Sequence, residues 1–534
     1  MIGQVELETR DTLTFNGPSR LCSQEEIEGT GHPLNLTSQI LGVQYLIPYL
    51  LLGVPNLVPN PVFGRCLHGH RHRFNTFPAN IPPRFGHGPA VEPRGLTSRP
   101  YARERAMRCL SWFSRALLGA LLLGAVTAPA MAATLYGGGA DVPAGPLFGY
   151  RFLAPPDPLH DRLTLPGYLQ LNSFLGSWVN LALNQIQYCQ VGSGAGKKIL
   201  NGDTSYSPGG TCGDFDGLVP TTGLSIPSTA PVQPDFVVSG IPYSASEYAT
   251  FVANKGATRG EPVQYPILMQ SLAIVYNNNN VSSSNPINLT DAQVCNIFSG
   301  VIFNWNQLNP VYPPKPIKLV VRKDDSGATF SLMNHLSAVC GTIANSHFVT
   351  DQLFATATAT LPIHASSTTM LETSEAELLR KVATNDGTIG YAGTATALQS
   401  PVGIADLNSL NPVSWVAPTY NAFQQLSLDK VLSGVDANGR PVVVSQTPNT
   451  VTGCLALIDP ALYAAPTSGY ALLDVTYLMA GQKGNGANQA TLESLIRYPY
   501  ANSAGVTTVG TDTSVAFIQN SGITSLRIHI CTSV

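Results

Sequence analysis

Val320-Val321-Arg322-Lys323-Asp324-Asp325-Ser326-Gly327-Ala328-Thr329 is the stretch on which the reading of this chain turns. The β-rich run Ile317-Lys318-Leu319-Val320-Val321 delivers one arginine and a small-residue turn to the start of an apolar helical run. The first N–H groups of a helix are unpaired and its dipole end is positive, so such a turn forms an anion site. Two further small-residue turns lie upstream, Gly137-Gly138-Gly139-Ala140-Asp141 and Gly192-Ser193-Gly194-Ala195-Gly196. Together with one arginine, they suggest a pocket for a compact oxyanion.

The chain has 534 residues, too many for one hydrophobic core and enough for two or three domains. Charged residues make up 11%, well below the roughly 25% of average soluble domains. Gly, Ser, Thr and Asn fill the gap, a balance common in exported proteins. The net charge of -3 argues against a general polyanion surface, so no nucleic acid is expected.

Residues 107–132 read as a secretory signal: Arg108 and Arg115 supply the positive region, Ala116–Val126 the apolar core, and Ala130-Met131-Ala132 the cleavage site. The apolar core is shorter than the ~20 residues a spanning helix needs. Residues 1–106, rich in Pro, Arg and His, are expected to be an over-extended reading frame without order; a cytoplasmic leader before a signal anchor is the alternative. Localisation is therefore expected to be periplasmic or secreted. Six cysteines follow the cleavage point: Cys189, Cys212, Cys295, Cys340, Cys454 and Cys531. Fifteen pairings are formally possible. Sequence-local pairing favours Cys189–Cys212, Cys295–Cys340 and Cys454–Cys531, and buried free thiols are the alternative.

Apolar spacing predicts a helix over Tyr168–Ile186, a short strand over Asp235–Ser239 and a helix over Ser244–Val252. Pro266–Tyr276 reads as a strand long enough to cross between lobes. Thr290-Asp291-Ala292-Gln293 fits a capping box, Ser374–Ala383 a helix with Glu377 and Lys381 paired, and Gly387–Tyr391 a strand returning across the hinge. Alternating β and α with two crossings implies an α/β protein of two lobes, with ligand at the strand C-termini. The expected parts are a first lobe over 133–270, a second over 271–392, and a return to the first over 393–534 with loop inserts. The segments 208–234 and 408–448 receive no assignment.

These motifs resemble the phosphate-binding proteins of ABC importers, and more closely their secreted DING-type relatives. Gly137–Pro143 resembles the opening G-G-G-A-T-L-P, Val191–Gly194 the V-G-S-G turn, and Asp291–Trp305 the cysteine-bearing helix with its F-S-G-x-I-x-x-W. Val320–Phe330 is similar to the R-x-x-x-S-G-T segment, Gly387–Tyr391 to G-x-I-x-Y, and Pro466–Tyr470 to P-T-S-G-Y. The resemblance implies a type II periplasmic-binding-protein fold and a monomer that captures phosphate or a similar oxyanion, with an ABC permease as possible partner. By position it implies ligand contacts at Asp141, Val142, Ser193, Ser239, Gly240, Arg322, Ser326, Gly327 and Ala328. Arginine presents a planar fork that matches an oxyanion, while hydroxyls and backbone N–H groups donate without adding charge. Lys197, Lys198 and Lys323 are expected to be solvated surface residues.

Three departures stand out. The family's G-S-D aspartate, which accepts the proton of hydrogen phosphate and repels sulfate, is replaced by Gly240 in Val238-Ser239-Gly240. The threonine of S-G-T is Ala328, and that of G-A-T-L-P is Asp141. One expectation is that Asp141 takes over as proton acceptor. The alternative is a site that serves another ligand or has lost tight binding.

Enzyme motifs are weak. Gly192–Lys198 fails as a P-loop, and no G-x-S-x-G elbow occurs. Asp324 and Asp325 are expected to be surface carboxylates, and His335, within an apolar helix, a satisfied core residue. No catalytic residue, cofactor or metal site is expected; a secreted phosphatase is the runner-up.

Overall fold

The apolar run becomes a 16-residue strand, Pro262–Asn277, buried along all but its last residue. The computed structural model describes residues 134–148, 163–164, 173–182, 185–203, 233–281, 286–343, 345–361, 368–414, 425–501, 515–517 and 525–532. The leader over 1–106, the secretory segment 107–132 and Cys212 lie outside these. In chain order the strands that position the turns are β1 (Thr134–Gly139), β2 (Gln185–Gln190), β3 (Phe236–Ser239), β4 (Pro262–Asn277) and β5 (Lys318–Arg322), followed by β6 (Thr368–Glu372), β7 (Thr388–Gly393), β8 (Lys430–Val435), β9 (Pro441–Ser445) and β10 (Leu473–Gly481). The helices used below are α1 (Ser193–Asn201), α2 (Ala245–Arg259), α3 (Asp291–Phe298), α4 (Gly327–Val339) and α5 (Glu375–Thr384).

The sheet runs β2-β1-β3-β10-β4-β7-β5-β6. β1 is parallel to β2 and β3; β5 is parallel to β6 and β7. β4 joins the two groups: Pro262–Ser271 pairs antiparallel with β10, and from Leu272 the partner becomes β7. Each lobe is thus built on three parallel strands, and one continuous antiparallel strand passes between them. The turns at Asp141, Ser193, Gly240 and Ser326-Gly327 all follow the C-terminal ends of parallel strands, which aim them at the seam. Helix α4 buries Leu332, Met333 and Leu336 in one cluster with Leu272 and Ile274 of β4. Fully burying each such side chain is worth about 1.5–3 kcal/mol.

Local expectations fared unevenly. Thr290 caps α3 with the reciprocal Gln293 bond of a capping box. Cys295 bonds Cys340 and Cys454 bonds Cys531, with Cα separations of 5.7 and 5.6 Å; Cys189 is also disulfide-bonded. The helix expected to Ile186 ends instead at Ala182. Gln185-Ile186-Gln187-Tyr188 alternates with period two, and β2 buries Ile186 and Tyr188. Helix α2 runs seven residues past Val252, to Arg259. Lys381 pairs with Glu372 at 3.3 Å, while the Glu377 carboxylate accepts from the Thr373 N–H at the helix start. Among the described residues no helix is long and apolar enough to cross a membrane.

The unassigned segment before Pro448 contains an antiparallel hairpin, β8–β9. Its base is tied to the first lobe, where the Leu432 N–H donates to the Tyr243 carbonyl at 2.9 Å. Its tip rests on the second lobe: the Thr350 N–H donates to the Gly439 carbonyl at 2.8 Å. Gly439 has φ 76°, and a Cβ there would lie 2.2 Å from the Phe348 carbonyl oxygen. Gly439→Ala should therefore cost about 1–3 kcal/mol, through strain and through lifting the tip. Chemical denaturation reads this out, and an unchanged midpoint would show that the tip is not seated on Phe348.

Candidate functional site

Arg322, the last residue of β5, is 1% exposed. Its guanidinium crosses the seam to Asp141 on the turn after β1, with Nη1 to Oδ1 at 3.1 Å and Nη2 to Oδ2 at 2.9 Å. On its other edge Asp324 takes Nε at 2.7 Å and Nη2 at 2.6 Å. Both edges of the fork are thus closed by carboxylates, a geometry that suits bidentate pairing. Burial works against the charged guanidinium, but Asp141 and Asp324 outweigh it and hold its pKa well above the ordinary value. Burial raises the Asp324 carboxyl, with Arg322 opposing.

The other turns meet the same seam. Ser193 Oγ accepts from the Gly240 N–H at 3.0 Å. The Gly194 N–H donates to the Asp325 carbonyl of the opposite lobe at 3.0 Å, and Lys198 forms an ion pair with the Asp325 carboxylate. Gly240 and Gly327 touch: a Cβ on Gly327 would fall 2.9 Å from the Gly240 Cα and 2.7 Å from Ser193 Oγ. Ser326 caps α4 through Oγ, and its own N–H donates to the Gln352 carbonyl at 3.0 Å. Val142 and Ala328 are buried beside these turns. Of the residues expected at the site, Ser239 has its hydroxyl bonded within its own turn, 3.0 and 2.8 Å from the Ile241 N–H and carbonyl oxygen. Next to the seam lies a cavity of about 380 Å³, lined on both sides by residues such as Lys198, Ile241, Phe330 and Asp351.

Several sequence expectations need correction. Asp324 and Asp325 are not surface carboxylates: one chelates Arg322 and the other bridges the lobes through Lys198. Lys197 is buried, held by Glu247 at 2.8 Å, rather than solvated; Lys323 is exposed. His335 is a satisfied core residue, with Nδ1 2.7 Å from the Ala464 carbonyl and Nε2 3.3 Å from Asp291.

The sequence reading missed Glu375, at the start of α5. Its backbone N–H donates to Asp141 Oδ2 at 2.7 Å, and its Oε2 accepts from the Gly393 N–H at 3.3 Å. In a helix read as charged and amphipathic, with Glu377 and Lys381 paired, nothing in the sequence marks Glu375 as the buried carboxylate. Burial pushes the Glu375 carboxyl well above the usual range, the Asp141 charge adding and Arg322 opposing. A raised folded-state pKa gives a stability contribution that is full at acid pH and lost as pH climbs past the ordinary carboxylate value. Glu375→Gln keeps the neutral form at every pH. It should raise the melting temperature at about pH 8 and leave it nearly unchanged at about pH 4. A fall at both values would show that the charged form is the one the fold uses.

Comparisons with known proteins place the chain in a family. A family model described as a PBP superfamily domain matches residues 181–502, more than half of the chain. The curated protein "Alkaline phosphatase L" of Pseudomonas aeruginosa PAO1 is 25% identical over 71% of this chain and 83% of its own length. "Phosphate-binding protein PstS 3" of Mycobacterium leprae is 34% identical over 20% of this chain and 28% of its own length. Among solved structures, the phosphate-bound periplasmic protein PfluDING is 20% identical, covering 75% of this chain and 93% of that one with TM-score 0.48. A phosphate-binding protein from Stenotrophomonas maltophilia is 21% identical, covering 68% and 83%, with TM-score 0.46. On the extent of the family match, this chain is a member of the PBP superfamily.

Proposed function

We propose that the chain is an exported solute-binding protein that captures inorganic phosphate, or a similar tetrahedral oxyanion, between its lobes for ABC-type uptake or scavenging. In this reading residues 133–270 and 393–534 form one lobe and 271–392 the other. The observation that carries it is Arg322: a buried guanidinium of one lobe bound bidentately to an anion brought by the other. An oxyanion bridging lobes in this way closes the cleft by hinge motion. Asp141 holds the place that the ligand takes, so capture exchanges one anion for another on the same fork. Donors at Ser193 and Gly327 complete the shell. The names of the relatives support phosphate as the ion.

Calorimetry of the purified protein with phosphate, sulfate and arsenate tests this. Heat that saturates with phosphate is the expected result; no heat with any of the three, in the wild type and in a variant lacking the Asp141 carboxylate, defeats it. A second reading, hydrolysis of phosphomonoesters, is favoured by the name of the relative that spans most of the chain. Turnover of a nitrophenyl phosphate that disappears with Arg322→Ala would establish that reading instead.

A further inference from the structure

We infer that Asp474, on β10, supplies the carboxylate that position 240 lacks and so sets which oxyanion the Arg322 site accepts. The inference rests on the oxyanion reading above. Gly240 closes the turn after β3, and a Cβ added there would lie 2.9 Å from Asp474 Oδ1. The space that a side chain at 240 would enter is therefore held by a carboxyl from the neighbouring strand, since β10 pairs with β3. Asp474 is 0% exposed. Its Oδ1 accepts from Ser331 Oγ at 2.7 Å and its Oδ2 from Gln270 Nε2 at 3.0 Å, with Thr476 Oγ1 at 3.4 Å. All of these partners are neutral, and among the described residues Asp474 makes no salt bridge. A buried carboxyl without a cation is costly for a fold to retain.

Its position gives that cost a use. Ser331 lies one turn beyond Gly327 on α4, so the carboxyl sits between Gly240 of the first lobe and the anion-turn helix of the second. The other candidates are paired with the arginine cation, whereas the partners of Asp474 are neutral. Asp141 has both oxygens on Arg322 and the Glu375 N–H, and Asp324 is chelated by Arg322. Hydrogen phosphate carries an O–H that a carboxylate accepts in a charge-assisted bond, whereas sulfate at neutral pH has no proton to give and meets only repulsion. Burial raises the Asp474 carboxyl, the bonds from Gln270, Ser331 and Thr476 pull it back, and the charge of Asp141 adds a smaller upward push.

The test is calorimetry with inorganic phosphate and sulfate at neutral pH on the full chain, as wild type, as Asp474→Asn, and as the exchange Asp474→Gly with Gly240→Asp. Asp474→Asn should weaken phosphate about tenfold or more and bring sulfate to within about tenfold of it. The exchange should restore the wild-type preference, because it returns a carboxylate to the same space from the other strand. A phosphate-to-sulfate ratio unchanged within about threefold in Asp474→Asn overturns the inference. If the wild type binds neither ion, the same substitutions are read in an Asp141→Thr background. If that background also binds neither, the oxyanion reading fails and this inference falls with it.

Discussion

Asp141→Thr should bind inorganic phosphate about a hundredfold more tightly than the wild type, a gain of about 2.7 kcal/mol. The wild-type ligand has to displace a carboxylate that sits 2.9–3.1 Å from the two terminal nitrogens of Arg322. Because that carboxylate is tethered, it competes at an effective concentration that dilute phosphate does not match. Close buried charge pairs carry coupling energies of roughly 1.5–7 kcal/mol, so a hundredfold is a modest share of what the exchange involves. Threonine removes the competitor and adds a hydroxyl donor. The ligand-free variant should at the same time melt earlier, since Arg322 keeps Asp324 alone, and added phosphate should raise its melting temperature more than it raises that of the wild type. Asp141→Asn decides between two roles by sign. If Asp141 were the acceptor of the ligand's proton, the amide would weaken phosphate binding. As a counter-ion that the ligand replaces, its neutralisation strengthens binding.

The large pattern is visible in the sequence for physical reasons that also account for what stays hidden. Strand β4 is readable because the eleven residues from Pro266 are apolar or nearly so, with β-branched and aromatic residues at the end of the run, as suits a strand buried on both faces. The anion turns are readable because glycine and serine just before an apolar helical run leave the first backbone N–H groups of the helix uncovered. Their partners are not readable. Asp474 lies in a β-strand more than a hundred residues after Arg322, and nothing in Leu473-Asp474-Val475-Thr476 says that its carboxyl faces Gly240 rather than solvent. Asp324 and Asp325 look like an ordinary charged turn, because sequence spacing does not reveal that the other lobe closes over them. The hairpin β8–β9 carries a usable signal, Asp436-Ala437-Asn438-Gly439 between β-branched runs. The polar residues around it obscure that signal. Local chemistry is written in neighbouring residues, whereas the contents of a seam depend on how two lobes meet.

Arg322→Ala should be the most destabilising single substitution at the seam, by about 3–5 kcal/mol near neutral pH. The loss is not the worth of the ion pairs themselves. It comes from leaving the Asp141 and Asp324 carboxylates facing each other in a buried site with no cation, which is far costlier than the intact triad. The pH dependence follows from Asp324, whose carboxyl burial already raises and which Arg322 is the main group pulling back. Without the guanidinium it rises further, so the variant is least impaired at acid pH and loses stability as pH climbs through and above the ordinary carboxylate range. Denaturant midpoints of wild type and variant should therefore diverge more at about pH 8 than at about pH 5. The double variant Asp141→Asn with Arg322→Ala separates this mechanism from simple loss of packing. Removing a charge from each side of the pair leaves fewer uncompensated groups, so the double variant should be more stable than Arg322→Ala, a coupling of about 1–3 kcal/mol. Additive effects of the two changes would mean that Asp141 and Arg322 do not act on each other, and that the seam is held by the contact of Gly240 with Gly327 and by the hairpin instead.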